Sequence, residues 1–164
     1  EEGHLFKYVL QLIVGIFALM VSTLITWYEG SAITYNSFEW EYSTPFTKLF
    51  AIEITNGRDI SQLDYFVYAA KFQPLFPAIM MFSVFYILSV VGYYLIKHKS
   101  KWAIGIWGFI GCIMILLSGF IFNSATMGGR IFFWITLVSG LISVAVAVFV
   151  YLINFKHKVT VNSN

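Results

Sequence analysis

Four long apolar runs, none containing an Asp, Glu, Lys, Arg or His, constrain this chain more than any other feature of its sequence. They cover residues 8–28, 75–96, 102–122 and 131–153. The first holds 21 residues, and a helix rising about 1.5 Å per residue carries such a run across a hydrocarbon core of about 30 Å. Only 11% of the 164 residues are charged, less than half of the roughly 25% usual in soluble domains. Lipid is therefore the expected solvent. The fold class that follows is an all-α membrane protein, a four-transmembrane-helix bundle forming a single integral membrane domain over residues 1–164.

The first run is read as a retained span. A signal peptide has an apolar core of about 7–15 residues followed by a small-residue cleavage site. Here the run is longer and ends in Trp27 and Tyr28, an aromatic anchor of the interfacial kind. The chain begins with Glu1. Pro74 and Pro77 open the second span, where proline is tolerated because first-turn N–H groups have no intrahelical partner. The spans are joined by a tight KHKSK turn (97–101) and by residues 123–130, where Gly128 and Gly129 read as helix breakers.

Basic residues set the expected orientation. Lys7, Lys97, Lys99, Lys101, Lys156 and Lys158 crowd one side, while Lys48, Arg58, Lys71 and Arg130 are spread thinly over the other. Lysine density beside span ends marks the cytoplasmic face, so both termini are expected in the cytoplasm of a plasma-membrane protein. The polar segment 29–74 is then extracellular.

Within that segment, Phe38, Trp40 and Tyr42 alternate with Glu39 and Glu41. Such a period of two predicts a strand with the aromatics on one face. Phe50, Ile52 and Ile54 alternate in the same way, and Ser43-Thr44-Pro45 reads as the turn between them. The expected unit is a small β-hairpin, broken after Asn56-Gly57. From Ile60 to Phe72 the pattern becomes helical, with Ile60, Leu63, Val67 and Ala70 on one face and Tyr65, Tyr68 and Phe72 on another. Asp59 or Ser61 caps this helix, and Ser61 with Asp64 resembles a capping box. The helix is expected to lie along the membrane interface, with Lys71 snorkelling towards headgroups.

Sites for chemistry are sparse. Ionisable residues inside spans are the usual mark of pumps and coupled transporters, and these spans have none. Their serines and threonines read as helix–helix hydrogen-bonding groups. Gly105, Gly108 and Gly111 make a small-residue stripe on the third span, and Ser139, Ser143 and Ala147 make one on the fourth; such stripes let helices approach closely, within the bundle or against a partner. Glu39, Glu41 and Glu53 come together only if the hairpin forms, and they do not make the oxygen-dense acidic loop that a hard cation needs. His98 and His157 lie among lysines without a third ligand, and Cys112 lies inside an apolar run. No metal, cofactor or nucleic acid is expected.

The strings WYEGS (27–31), FEWEYSTPFTKL (38–49) and DISQLDYFVYAAKFQPLFP (59–77) carry a resemblance. Over roughly residues 8–100 the chain resembles a family of small membrane proteins of unknown function from Bacillus-type Gram-positive bacteria. That resemblance implies a bacterial plasma membrane and no particular chemistry. The layout is also similar to claudin and peripheral-myelin proteins, with four spans and a long first outer loop bearing strands. Those loops typically carry a disulfide, and this one has no cysteine. The reading that results is a non-enzymatic accessory or interaction subunit of an envelope complex. It contacts membrane lipids and docks on another membrane protein or on a copy of itself. Its contact residues would be Phe38, Trp40, Tyr42, Tyr65 and Tyr68, with Gly105, Gly108, Ser139 and Ser143 in the membrane. The alternatives are an oligomeric passive channel or small-molecule permease and, third, a lipid- or envelope-modifying enzyme.

Overall fold

In the computed structural model the backbone is described for residues 2–98 and 100–162, and side chains for 6–97 and 102–155. The side chains of His98, Lys99, Lys101, Lys156, His157 and Lys158 thus lie outside the described residues. Among the described residues six α-helices follow one another: α1 (Glu2–Gly30), α2 (Pro45–Leu49), α3 (Gln62–Phe72), α4 (Leu75–His98), α5 (Ser100–Ile121) and α6 (Met127–Asn162). Short 3₁₀ turns occupy Ser31–Tyr35, Ser37–Glu39 and Gly57–Asp59. Four helices among the described residues are long and apolar enough to cross a membrane, with candidate spans at Phe6–Tyr35, Leu75–Lys97, Trp102–Ile121 and Met127–Phe155.

Burial is inverted relative to a soluble protein. Ser22, Thr26, Ser83, Ser118, Thr136 and Ser143 are buried, whereas Phe17, Leu24, Phe109, Phe120 and Phe149 are exposed. Water would penalise that distribution; lipid rewards it, because tails are as apolar as the side chains they touch. Most of the inner hydroxyls do not bridge helices as the sequence led us to expect. Ser22, Ser83, Thr136 and Ser143 donate to carbonyls of their own helix, at Ala18, Ile79, Phe132 and Ser139. Their use is smallness: each satisfies itself one turn back and leaves room for a neighbouring backbone.

α1 runs antiparallel to α4, with Tyr8 against Tyr93 and Tyr94 and Gly15 against Tyr86 and Ile87. α5 runs antiparallel to α6, with Phe122 against Phe133 and Gly111 against Val144. The two pairs are joined near the start of α5, where Ala103, Trp107 and Ala147 form a buried cluster backed by Leu95, Ile96 and Val146. The Trp107 indole lies over Gly92, leaving no space for a side chain there.

At the opposite end α3 joins the pairs by lying over the ends of α1 and α6. A Cβ on Gly30 would fall on the Tyr65 carbonyl, and one on Gly128 would fall on the Ala70 carbonyl. Gly128 and Gly129 are therefore not breakers: both belong to the first turn of α6, and Gly128 is a backbone crossing point.

The β-hairpin is not formed. Among the described residues there is no strand, and the strands of a claudin-type loop are absent with it. Phe38 belongs to a 3₁₀ turn, and residues 45–49 form α2. The alternation of Phe50, Ile52 and Ile54 is cut by Ala51, whose φ of 53° is left-handed. Ala51 N donates to Lys48 O and Ile52 N to Thr47 O at 3.0 and 3.1 Å, the paired bonds that close a helix end and usually employ glycine. Ala51→Gly is expected to raise stability by about 0.5–1 kcal/mol, because glycine pays no Cβ penalty in this conformation. The check is the thermal midpoint of purified protein in detergent, and a lowered midpoint would count against the left-handed turn.

Candidate interaction site on the polar cap

Residues 31–74 make a compact cap built around one carboxylate, Asp64. The short helix α2 begins with Pro45 at its first position, which removes one N–H. Its next two N–H groups, on Phe46 and Thr47, donate to Asp64 Oδ1 and Oδ2 at 2.9 and 2.8 Å. Thr44 provides no side-chain cap, so the cap comes from α3, seventeen residues away in the chain. Thr47 Oγ1 also donates to Asp64 at 2.5 Å and accepts from Ser61 N at 2.8 Å. Asp64 and Thr47 are fully buried, and the positive end of α2 faces the carboxylate.

Other polar contacts sew the cap together. The Trp40 indole N–H donates to Ile33 O at 2.8 Å, and Ile33 is fully buried. Lys71 Nζ donates to Tyr42 O and Ser43 Oγ at 2.7 and 3.0 Å, and Ser43 Oγ donates to Glu39 Oε2 at 2.7 Å. Lys71 thus ties the cap internally instead of snorkelling. Asn56 and Asp59 form a capping box around the Gly57–Asp59 turn. The Thr55 hydroxyl and the Asn56 and Thr55 N–H groups hold the Asp59 carboxyl below its ordinary value. Its contribution is present above the ordinary value of 3.8 and is lost as pH falls towards the lowered one. Ser61 caps α3 through Leu63 N at 3.4 Å, while Asp64 is committed to α2 and takes no part in that box.

This packing divides the residues singled out from sequence. Phe38 and Tyr42 are 88% and 70% exposed, and Tyr35, which the sequence reading passed over, is 93% exposed. Trp40 is not exposed as they are, because its indole turns inward to the Ile33 carbonyl. Tyr65 packs against Trp27 with ring centroids 6.4 Å apart, and Tyr68 packs on Phe72 at 4.7 Å while accepting from Asn36 Nδ2. In the membrane, a Cβ on Gly105 or Gly108 meets nothing within 4 Å. Gly111 and Gly140 form the close α5–α6 contact instead. Ser143 is buried against its own helix, and Ser139 donates to the Ile135 carbonyl. Glu39, Glu41 and Glu53 are not brought together by strand pairing: Glu39 is engaged by Ser43, and the other two are exposed. Among the described residues no three His, Cys, Asp or Glu side chains cluster as metal ligands would.

A family described as a domain of unknown function, DUF4306, matches residues 9–96, which is most of α1, the cap and nearly all of α4. The chain belongs to the DUF4306 family. A Bacillus subtilis (strain 168) relative, "Uncharacterized protein YjdJ", is 34% identical over 85 residues, covering 51% of this chain and 78% of that protein. The resemblance read from the three cap strings is borne out. No solved structure matches the chain. The DUF4306 match includes the whole Asp64 cap and stops before α5.

Proposed function

We propose that this small membrane protein is a non-enzymatic accessory subunit of a bacterial envelope complex. Its cap lies outside the plasma membrane with both termini in the cytoplasm, and it docks on a larger membrane protein. The observation that carries this reading is the exposed aromatic rim of Tyr35, Phe38 and Tyr42 on an internally bonded cap. Aromatic residues are enriched in interface cores, and a contact surface already held in place loses little conformational entropy on binding. Lysine density at the opposite end of the helices supports the orientation.

A photo-crosslinking residue at position 38 or 42, in the native membrane, tests the proposal. One dominant protein adduct is expected, and it should weaken at least about tenfold when Tyr35 is changed to Ala, the loss typical of an aromatic anchor. Adducts with lipid alone, or with a second copy alone, would remove the accessory reading.

A further inference from the structure

A cavity of about 360 Å³ lies between the ends of α1, α4 and α6 beneath the cap, a second of about 480 Å³ lies along the turn before α6 and the first turns of that helix, and Ile131 lines both. Both fall within the size range of small-molecule sites. The first is lined by Pro74, Leu75, Phe76, Ala78 and Ile131, with Glu29 and Gln73 as its polar members. Glu29 Oε2 is sealed from solvent and has no hydrogen-bond partner among the described residues. Burying a carboxylate oxygen beside apolar side chains is costly unless a cation or donor meets it. The second cavity is lined by Ala125, Met127, Arg130, Ile131 and Trp134. Arg130 is exposed there, and its guanidinium has no hydrogen-bond or ion-pair partner among the described residues.

Depth adds to the charge pattern. Glu29 directly follows Trp27 and Tyr28, and Pro74 opens α4, so both cavities sit where a span meets the headgroup layer. Trp134, 61% exposed, stands beside Arg130 as an interfacial indole does. A ligand completing this arrangement needs a cation that donates hydrogen bonds, an anion and an apolar stem. The Glu29 carboxylate lines the first cavity and makes no hydrogen bond among the described residues, so it takes a donor: a primary ammonium has three N–H groups, and a trimethylated one has none. The guanidinium fork suits a phosphate.

We propose that the two cavities form one binding site for a glycerophospholipid of the phosphatidylethanolamine type. Its ammonium lies on Glu29, its phosphate on Arg130 and its glycerol portion over Ile131. The acyl chains leave from Ile131 into the leaflet on the cap side. This site uses none of the residues of the aromatic rim, so it stands or falls separately from the accessory reading.

The test uses the full chain in phosphatidylglycerol nanodiscs containing equal amounts of phosphatidylethanolamine and phosphatidylcholine, with retained lipid read by native mass spectrometry. Wild type is expected to keep phosphatidylethanolamine about tenfold over phosphatidylcholine, the scale of one charge-assisted hydrogen bond. Glu29→Gln should bring that ratio towards one. Arg130→Gln should lower retention of both zwitterionic lipids while leaving their ratio unchanged, and Glu41→Gln, on the exposed cap, should match wild type. Equal retention of the two lipids by wild type would overturn the proposal without reference to any variant. Preferential retention of phosphatidylglycerol, or an unchanged ratio in Glu29→Gln, would overturn it as well.

Discussion

Asp64→Ala is expected to release α2 from α3 and to cost the protein about 3 kcal/mol or more. A buried amide N–H on Thr47 and a part-buried one on Phe46 lose their acceptor together with the Thr47 hydroxyl. Each orphaned buried donor costs about 1–3 kcal/mol, and bonds to a charged acceptor stand at the upper end. The site offers no simple repair, because Asp64 is 0% exposed and Thr44 supplies no substitute cap. Asp64→Asn should cost less: one carbonyl oxygen remains, but an amide NH₂ then faces a donor and the charge opposite the α2 dipole is gone. The measurement is amide hydrogen exchange across residues 44–61 in detergent or nanodiscs, beside the thermal midpoint. Loss of protection should begin at Phe46 and Thr47 and spread to Ser61, which donates to the same Thr47 hydroxyl. Full protection of those amides in Asp64→Ala would show that α2 does not depend on this carboxylate.

The second large effect concerns the two glycines over which α3 lies. Gly30→Val and Gly128→Val each place a Cβ onto backbone, at the Tyr65 and Ala70 carbonyls, and backbone cannot rotate aside as a side chain does. Overpacking of this kind costs about 1–3 kcal/mol per site. The two sites are five residues apart on α3, or about 7.5 Å. The costs should nevertheless be less than additive, because a strap lifted at one end has less left to lose at the other. Hydrogen exchange over α3 and the thermal midpoints of the two single variants and the double variant measure this. Strict additivity would mean that α3 is held at two independent points. Gly105→Ala and Gly108→Ala are the controls: a Cβ there meets nothing within 4 Å. Replacing glycine inside a helix by alanine then favours the folded state by up to about 1 kcal/mol.

Some of this architecture was legible in the sequence and some was not. The four spans were legible because lipid imposes a coarse requirement on composition and length. Their observed limits extend the sequence reading chiefly at helix ends, where polar residues such as Glu29 continue α1 beyond the apolar run. The helix at 62–72 was legible from its period and from Ser61. The hairpin was misread because five alternating residues, Phe38 to Tyr42, report a local pattern and carry no information about a pairing partner. What decides that stretch is distant. Trp40 bonds to Ile33, Lys71 bonds to the Tyr42 carbonyl, and Asp64 caps a helix whose own preceding residue does not. An acidic residue in the first turn of α3 has an adequate local explanation as a capping group, which is why its long-range role went unread.

The sequence by itself determined the solvent, the number of candidate spans and the family, since each depends on composition, length or a string of residues. The tertiary structure alone decided what the polar residues do: Asp64 as a remote cap, Lys71 as an internal tie, Gly30 and Gly128 as crossing points. It also decided which aromatics remain exposed. The physical reason is that a span is specified residue by residue through transfer into lipid. A cap of short turns has too few bonds within each segment to choose its own conformation, and it takes that conformation from contacts many residues away.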